Sequence, residues 1–412
     1  MKLTAKILWG ILLGLIVGLV LNFYFPDVFK PVNEYLFTPV GNLFLKAIKM
    51  IVVPLVFFSI AVGASGIADP KKLGRVGVKT VILYLATTAI AITIALGLAN
   101  IIGPGKGVVV EKPKEALDID EAPPVMETLL NIVPDNPINA MAEGNMLQVI
   151  FFALVFGIAM AFLGSKVNRV REFAEQANEV MMYMVQMLMK TVPYAAFALM
   201  AKAVGEAGLG MIGSMGLYMV TLLLALLLHM ILVYGSLLKF VAKISPFQFY
   251  KKLFPAMEVA FTTGSSAAAL PVTIECAEKG LKVPKSISSF VLPLGATINM
   301  DGTAIMQGVA AIFIAQLYGI PLTFGDQLLI ILTATLASIG TAAVPSAGIV
   351  MLTIVFPTVG LPLEGLGIIL GVDRLLDMSR TATNITGDAM VATIVAKTEG
   401  ETVGVEEQAQ TA

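Results

Sequence analysis

Apolar residues run through this chain in stretches of about twenty, the length needed to cross a lipid bilayer as a helix. Six stretches fit that length: 7–25, 36–64, 78–102, 146–163, 180–201 and 211–238. Between the third and fourth, residues 103–145 are rich in Pro, Gly and acidic side chains. That composition predicts an aqueous loop with a short interfacial segment. The first charge-dense break between spans is Pro70-Lys71-Lys72-Leu73-Gly74-Arg75.

After Lys252 the pattern changes, because small and polar residues enter the apolar stretches. Residues 261–271 (Phe-Thr-Thr-Gly-Ser-Ser-Ala-Ala-Ala-Leu-Pro) form one such interruption, and residues 337–348 form another. Unpaired backbone groups facing lipid cost several kcal/mol, so each interruption is predicted as the tip of a re-entrant helical hairpin lining a cavity. Each tip is followed by a polar helix: the first carries Asn299-Met300-Asp301-Gly302-Thr303, the second covers residues 371–395. The first polar motif sits inside an apolar run, where unwinding would free carbonyl oxygens for a cation. Paired interrupted segments point to a transporter built from inverted repeats with a site near the bilayer midplane.

Composition agrees with lipid as the solvent. Hydrophobic residues make up 57% of the chain and charged residues 13%, with a mean hydropathy of +0.88. Soluble domains average roughly 45–50% apolar and about 25% charged. The net charge of −1 gives no reason to expect nucleic acid, and the single cysteine, Cys276, excludes an internal disulfide. Lys2 and Lys6 before an apolar run resemble a secretory signal, but no small-residue cleavage site follows, so residues 7–25 are expected to be a retained span.

Charge asymmetry sets the expected orientation. Lys2 and Lys6 precede the first span, Lys71, Lys72, Arg75 and Lys79 follow the second, Lys166, Arg169 and Arg171 follow the fourth, and Lys239, Lys243, Lys251 and Lys252 follow the sixth. The alternate loops hold Lys30, Lys202, or three lysines offset by five acids. Both termini are therefore expected in the cytoplasm of a multi-pass inner-membrane protein. The tail 397–412 is expected to be disordered.

The densest chemistry lies on the last helix. At about 100° per residue, with Asp377 at zero, Asp373 falls near −40°, Arg380 near −60°, Thr381 near +40°, Asn384 near −20° and Asp388 near +20°. Arg374 stands at the edge of this stripe, at about +60°. A polar stripe of this kind can be a solvated face or an ion-pair lattice between spans, but ionisable groups inside a membrane are costly and usually face a cavity. Asp377 and Arg380, one turn apart, can hold an ammonium and a carboxylate, the second through a planar bidentate fork. Asn384 and Asp388 are hard oxygen ligands suited to an alkali cation.

At these residues the chain resembles the glutamate transporter family, the dicarboxylate/amino acid:cation symporters, and within it the archaeal sodium-coupled aspartate transporters. The resemblance spans essentially the whole chain. It implies an all-helical homotrimer whose protomers have eight spans and two re-entrant hairpins, with a transport domain moving like an elevator against a trimerising scaffold. Residues 1–76 and 130–205 would form the scaffold, and residues 77–103 and 206–396 the transport domain. Asp377 would bind the amine of L-aspartate or L-glutamate and Arg380 its side-chain carboxylate, with Thr381, Asn384 and Thr303 completing the pocket. Ser265 and Ser266 in the first tip, with backbone near Val344 and Gly348 in the second, would hold the main-chain carboxylate, and the second tip would gate the site from outside. The resemblance also implies co-transported sodium: one site from Gly295, Asn299, Asn384 and Asp388, a second from Thr297, Met300, Ser338, Ile339 and Thr341, and a third from Tyr84, Thr87, Thr88, Asn299 and Asp301.

The chemistry of the residues narrows the solute. A carrier of neutral amino acids has no use for a cation at Arg380, and a plain dicarboxylate offers no amine to Asp377. Proton coupling, or a dicarboxylate as solute, is the alternative within the same fold. Outside it, an enzyme or a channel finds less support. His229, the only histidine, has no charged partner at helical spacing and is expected to pack between helices. Ser265 and Ser266 lack a visible base, and one His and one Cys do not make a metal cluster. The methionines at 181, 182, 184, 187 and 189 are adaptable packing.

Two departures from the family pattern stand out. Gly264 occupies the position of the arginine that archaeal members carry in the first tip, and Met378 that of the arginine in animal members; Ala267 replaces a third tip serine. Arg374 lies one turn before Met378, so helical geometry directs it to the same region. Arg374→Ala is accordingly expected to alter uptake rate or affinity strongly, and uptake kinetics identical to those of the unaltered protein would reject that role.

Overall fold

The computed structural model describes residues 3–67, 75–108, 132–339 and 347–404, and these are mostly helical, with no strand among them. The helices, numbered here along the chain, are α1 (Leu3–Tyr24), α2 (Pro26–Val32), α3 (Thr38–Ile67), α4 (Arg75–Ile102), α5 (Pro137–Glu143), α6 (Met146–Leu163), α7 (Asn168–Met189), α8 (Val192–Ala207) and α9 (Leu209–Leu228). They continue with α10 (Pro246–Thr263), α11 (Ser266–Glu275), α12 (Lys285–Ile298), α13 (Asp301–Leu317), α14 (Phe324–Ser338), α15 (Ala347–Thr358) and α16 (Leu366–Thr398). Beyond α9 the chain stays helical through two wider π turns, His229–Tyr234 and Leu237–Ala242.

Among the described residues, five stretches are long and apolar enough to cross a membrane: Ala5–Tyr24, Arg75–Ile102, Gln148–Leu188, Gly210–Ala242 and Lys285–Leu317. They differ in what surrounds them. Only 24% of the apolar window in the first is buried, and Trp9, Leu12, Leu13, Ile16, Val20 and Phe23 are exposed on it. Such a surface needs lipid or another protein against it. The apolar window in Lys285–Leu317 is 100% buried and other helices shield α13 along its length, whereas α12 keeps Lys285, Ser286, Ser289, Pro293 and Thr297 exposed on one side.

One expected span is rearranged. Residues 180–201 do not form one helix: α7 ends at Met189 and α8 begins at Val192. Pro193 explains the break: it offers no N–H to the preceding turn and stands in the first turn of α8, where no such donor is needed. The last expected boundary also shifts. α16 runs to Thr398, Glu399 pairs with Arg75 and Lys79 at 2.6 Å each, and the Gly404 N–H donates to the Leu281 carbonyl. The segment from 397 is therefore structured as far as Gly404, and residues 405–412 lie outside the described residues.

Two groups of helices pack around different contacts. α1 lies along α8, and α3 packs against α6, α7 and α8. The α1–α8 contact is made through small residues in parallel register: Gly10 meets Pro193, Gly14 meets Phe197 and Gly18 meets Ala201. A Cβ at Gly14 would lie 2.5 Å from the Phe197 carbonyl oxygen, so only glycine allows this approach. Small residues every fourth position are how helices approach closely where lipid removes any hydrophobic gain from association. In the second group α4 packs on α13, and α16 packs against α10, α11, α12 and α13. The groups meet where Gly367 and Gly371 of α16 face Leu199 and Met200 of α8.

The local sequence sets the helix ends near the candidate site. Gly264 closes α10 with φ +64°, a conformation glycine adopts freely, and its N–H donates to the Ala260 carbonyl. Ser265 then caps α11, its hydroxyl accepting from Ala268 N–H at 3.3 Å. Thr323 and Asp326 form a reciprocal capping box that starts α14.

The α1–α8 contact is open to test. Gly14→Leu inserts a branched side chain where a single methyl already collides, and is expected to destabilise the protein by about 1–3 kcal/mol. A lowered thermal unfolding midpoint in detergent is the expected result; an unchanged midpoint would show that α1 does not pack on α8 this closely.

Candidate functional site

The site is built around the two-residue break between α12 and α13. Asn299 (φ −87°, ψ 90°) and Met300 (φ −117°, ψ 44°) leave helical geometry, as the Asn-Met-Asp-Gly motif predicts. The last bond of α12 is Asn299 N–H to Gly295 C=O at 2.8 Å, and the first of α13 is Ala304 N–H to Met300 C=O at 2.8 Å. The break is buried, so its polar groups need protein partners.

α16 supplies them. Asn299 Nδ2 donates to the Asn384 carbonyl at 3.0 Å and to Asp388 Oδ1 at 2.9 Å. The Gly302 N–H donates to Asn384 Oδ1 at 2.7 Å, while Asn384 Nδ2 faces Met300 Sδ at 3.2 Å and Thr303 Oγ1 at 3.4 Å. Asn299, Asp301, Asn384 and Asp388 are all buried. Asn299 Oδ1 is buried without a hydrogen-bond partner among the described residues. An amide oxygen left this way, beside the Asp388 carboxylate, is chemically suited to a hard cation and poorly suited to apolar packing. Gly295 faces the same spot: a Cβ there would meet the Tyr84 hydroxyl and lie 2.5 Å from Asp388 Oδ1.

Asp301, at the start of α13, meets α4 and the π turn after α9. The Thr88 hydroxyl donates to its Oδ1 at 2.5 Å and the Tyr234 hydroxyl to its Oδ2 at 2.7 Å. His229 Nε2 lies 3.2 Å from the same Oδ2. The imidazole, expected to pack between helices, does so, and its charged partner comes from another helix. Its sequence spacing gave no hint, because the partner is 72 residues away. Tyr84 and Thr87 lie beside this cluster, but their hydroxyls donate to backbone, to Val291 C=O and Tyr84 C=O at 3.1 Å each.

A second cluster lies one to two turns earlier on α16. Arg380 Nη2 pairs with Asp377 Oδ1 at 2.7 Å and with Asp373 Oδ1 at 2.8 Å, and Arg374 Nη1 reaches Asp377 Oδ2 at 3.1 Å. Asp373 was placed on the polar face by helical spacing without being assigned a role; seven residues from Arg380, it is two turns away on the same face. Arg380 is buried, and its Nε and Nη1 have no hydrogen-bond partner among the described residues. The Thr381 hydroxyl donates to the Asp377 carbonyl at 2.8 Å.

Both expected tips approach this cluster where the structure describes them. A Cβ at Gly264 would lie 2.7 Å from Arg374 Nη1 and 3.0 Å from Asp377 Oδ2, which places this glycine of the first tip against Asp377; Ser265 and the buried Ser266 follow it in the chain. A Cβ at Gly348, on α15, would lie 3.1 Å from Arg380 Nη1 and 3.1 Å from Thr303 Cγ2. Ser338 and Ile339 are buried at the end of α14, and Ile339 shares a hydrophobic cluster with Ile298, Tyr84 and Ile385. Thr341 and Val344 lie outside the described residues. Thr297 is exposed, its hydroxyl donating to the Leu294 carbonyl at 3.0 Å, and is not drawn into either cluster.

Known proteins are similar to this chain over nearly its whole length. Residues 3–398 match the model of the Sodium:dicarboxylate symporter family. The "Proton/sodium-glutamate symport protein" of Bacillus subtilis is 37% identical over 407 residues, covering 97% of this chain and 93% of its own length. The "Proton/glutamate-aspartate symporter" of Escherichia coli is 36% identical over 411 residues, covering 97% and 93%. The "C4-dicarboxylate transport protein" of Azorhizobium caulinodans is 35% identical over 412 residues, covering 97% and 88%. With the buried ion pairs, the broken helix and matches of this length agreeing, the chain belongs to the Sodium:dicarboxylate symporter family, whose members are membrane transporters.

Proposed function

We propose that this protein carries an acidic amino acid, L-aspartate or L-glutamate, into the cell together with sodium ions. The observation that carries this reading is the buried pairing of Asp377 with Arg380, 2.7 Å apart, facing Gly348 and Thr303. An anionic and a cationic group one turn apart match the ammonium and side-chain carboxylate of such a solute. Thr381, Asn384 and Thr303 complete the pocket, and Ser265 and Ser266, with the segment around Val344 and Gly348, take the main-chain carboxylate.

Sodium is cargo in this account. Asn299, Asn384, Asp388 and the carbonyl of Gly295 hold one ion. Asp301, with Tyr84, Thr87, Thr88 and Asn299, holds a second, and Thr297, Met300, Ser338, Ile339 and Thr341 supply a third near the second tip. The buried Asn299 Oδ1, without a hydrogen-bond partner among the described residues, supports the first of these. The two helix groups fit a scaffold of residues 1–76 and 130–205 and a transport domain of 77–103 and 206–396. In a homotrimer that domain would move by an elevator motion, with the second hairpin as the outer gate. Both termini face the cytoplasm in this arrangement.

One observation favours a second reading, coupling to protons. His229 lies 3.2 Å from Asp301, and histidine is the side chain most suited to exchanging a proton near neutral pH. Relatives are named for proton coupling, for sodium, and for C4-dicarboxylates.

Uptake into proteoliposomes separates the readings when sodium and pH gradients are imposed one at a time. Accumulation of L-aspartate driven by inward sodium at equal pH is expected, and uptake indifferent to sodium would reject sodium coupling. Asp388→Asn removes one anionic ligand and is expected to raise the sodium concentration for half-maximal uptake by about tenfold or more. An unchanged sodium dependence in that variant would remove Asp388 from the ion site.

A further inference from the structure

On the surface of the first helix group, α1, α8 and the chain leading into α3 enclose a groove of about 820 Å³. Its floor is the contact of Gly10 with Pro193, two residues with no long side chain to fill the space. The parallel register of the two helices orders its walls. Lys6 lies one turn before Gly10 and Lys190 three residues before Pro193, so both lysines stand at the same end. The break after α7 sets the place of Lys190, whose N–H donates to the Met187 carbonyl at 3.2 Å. Trp9 and Tyr194 come next, both exposed, and Leu13 and Phe197 line the groove one turn further along. No acidic side chain is among the described residues that line it.

Cations, then aromatic rings, then an apolar trough is the order in which a phospholipid presents its phosphate, its ester interface and its acyl chain. Tryptophan and tyrosine settle at that interface in membrane proteins, and lysines near a membrane surface favour anionic headgroups. A second copy of the chain would have to present an acid and an apolar rod in the same order; a phospholipid carries both on one molecule. We propose that this groove holds an anionic phospholipid, its phosphate at Lys6 and Lys190 and one acyl chain laid over Gly10 and Pro193 toward Phe197. The expected cytoplasmic placement of the N-terminus puts these lysines in the leaflet that carries anionic lipid. α8 turns another face, Leu199 and Met200, to Gly367 and Gly371 of α16, so the bound lipid braces the helix against which α16 rests.

Trp9 is the only tryptophan of the chain, so its fluorescence reports on the groove directly. The full-length protein is reconstituted in phosphatidylcholine vesicles in which a rising fraction of the lipid is phosphatidylglycerol with a brominated acyl chain, which quenches tryptophan on contact. Brominated phosphatidylcholine is the comparison. Half-maximal quenching is expected at a fraction about tenfold lower for the anionic lipid, a preference that two lysines confer. Lys6→Gln combined with Lys190→Gln is expected to bring the two fractions together, and Lys6→Arg combined with Lys190→Arg to keep them apart. Lys252→Gln, outside the groove, is expected to leave them unchanged. Quenching by brominated phosphatidylcholine that persists in the Gln pair shows Trp9 still in place against lipid, and the comparison in the unaltered protein stands whether or not that pair folds. Equal fractions in the unaltered protein, a preference retained in the Gln pair, or one lost equally in Lys252→Gln would overturn the proposal. Absence of quenching by either lipid would overturn it too, and would show the groove covered by a second copy.

Discussion

The fold depends on how it keeps Asp301, Asp373, Asp377, Arg380 and Asp388 buried inside a protein whose outer surface is suited to lipid. Charges removed from water are tolerated only when closely paired and hydrogen-bonded. This chain meets that demand by crossing two interrupted elements with one polar face. The break at Asn299-Met300 gives α16 backbone and amide groups to bond, and α16 returns the Asn384 amide and the Asp388 carboxylate. The burial of the break and of α13 follows, because an unwound segment cannot face hydrocarbon. The glycines at 264, 295, 302 and 348 follow as well, since each lets backbone approach a charged or polar group more closely than a Cβ would allow.

Much of this was legible in the sequence. A stripe of polar residues in so apolar a chain announces a buried functional face, and helical spacing alone brings Asp373, Asp377, Arg380, Asn384 and Asp388 together. The Asn-Met-Asp-Gly motif within an apolar run marked the broken helix for the same reason. The direction of Arg374 followed from counting one turn back from Met378.

What escaped the sequence was tertiary. His229 meets Asp301 only because the π turns after α9 bring it against α13, and periodicity along α9 carries no information about a partner in another helix. The division of the expected span 180–201 was signalled by Pro193, but the apolar run around it outweighed that signal. The Gly10-Gly14-Gly18 row reads as ordinary apolar filler until α8 is seen beside it, since nothing in a single helix says which face another helix will take. The role of Gly264 is intelligible only with Arg374 lying over it.

Charge pairing and cation binding are joined in this account through Asn384, which bonds to the break, faces Thr303 and belongs to the same helix face as Asp377 and Asp388. Solute and sodium should therefore bind as one unit. Isothermal calorimetry of L-aspartate in the presence and absence of sodium tests that claim most directly. The account predicts tight, saturable binding with sodium and binding too weak to measure without it; equal affinity in both conditions would contradict it.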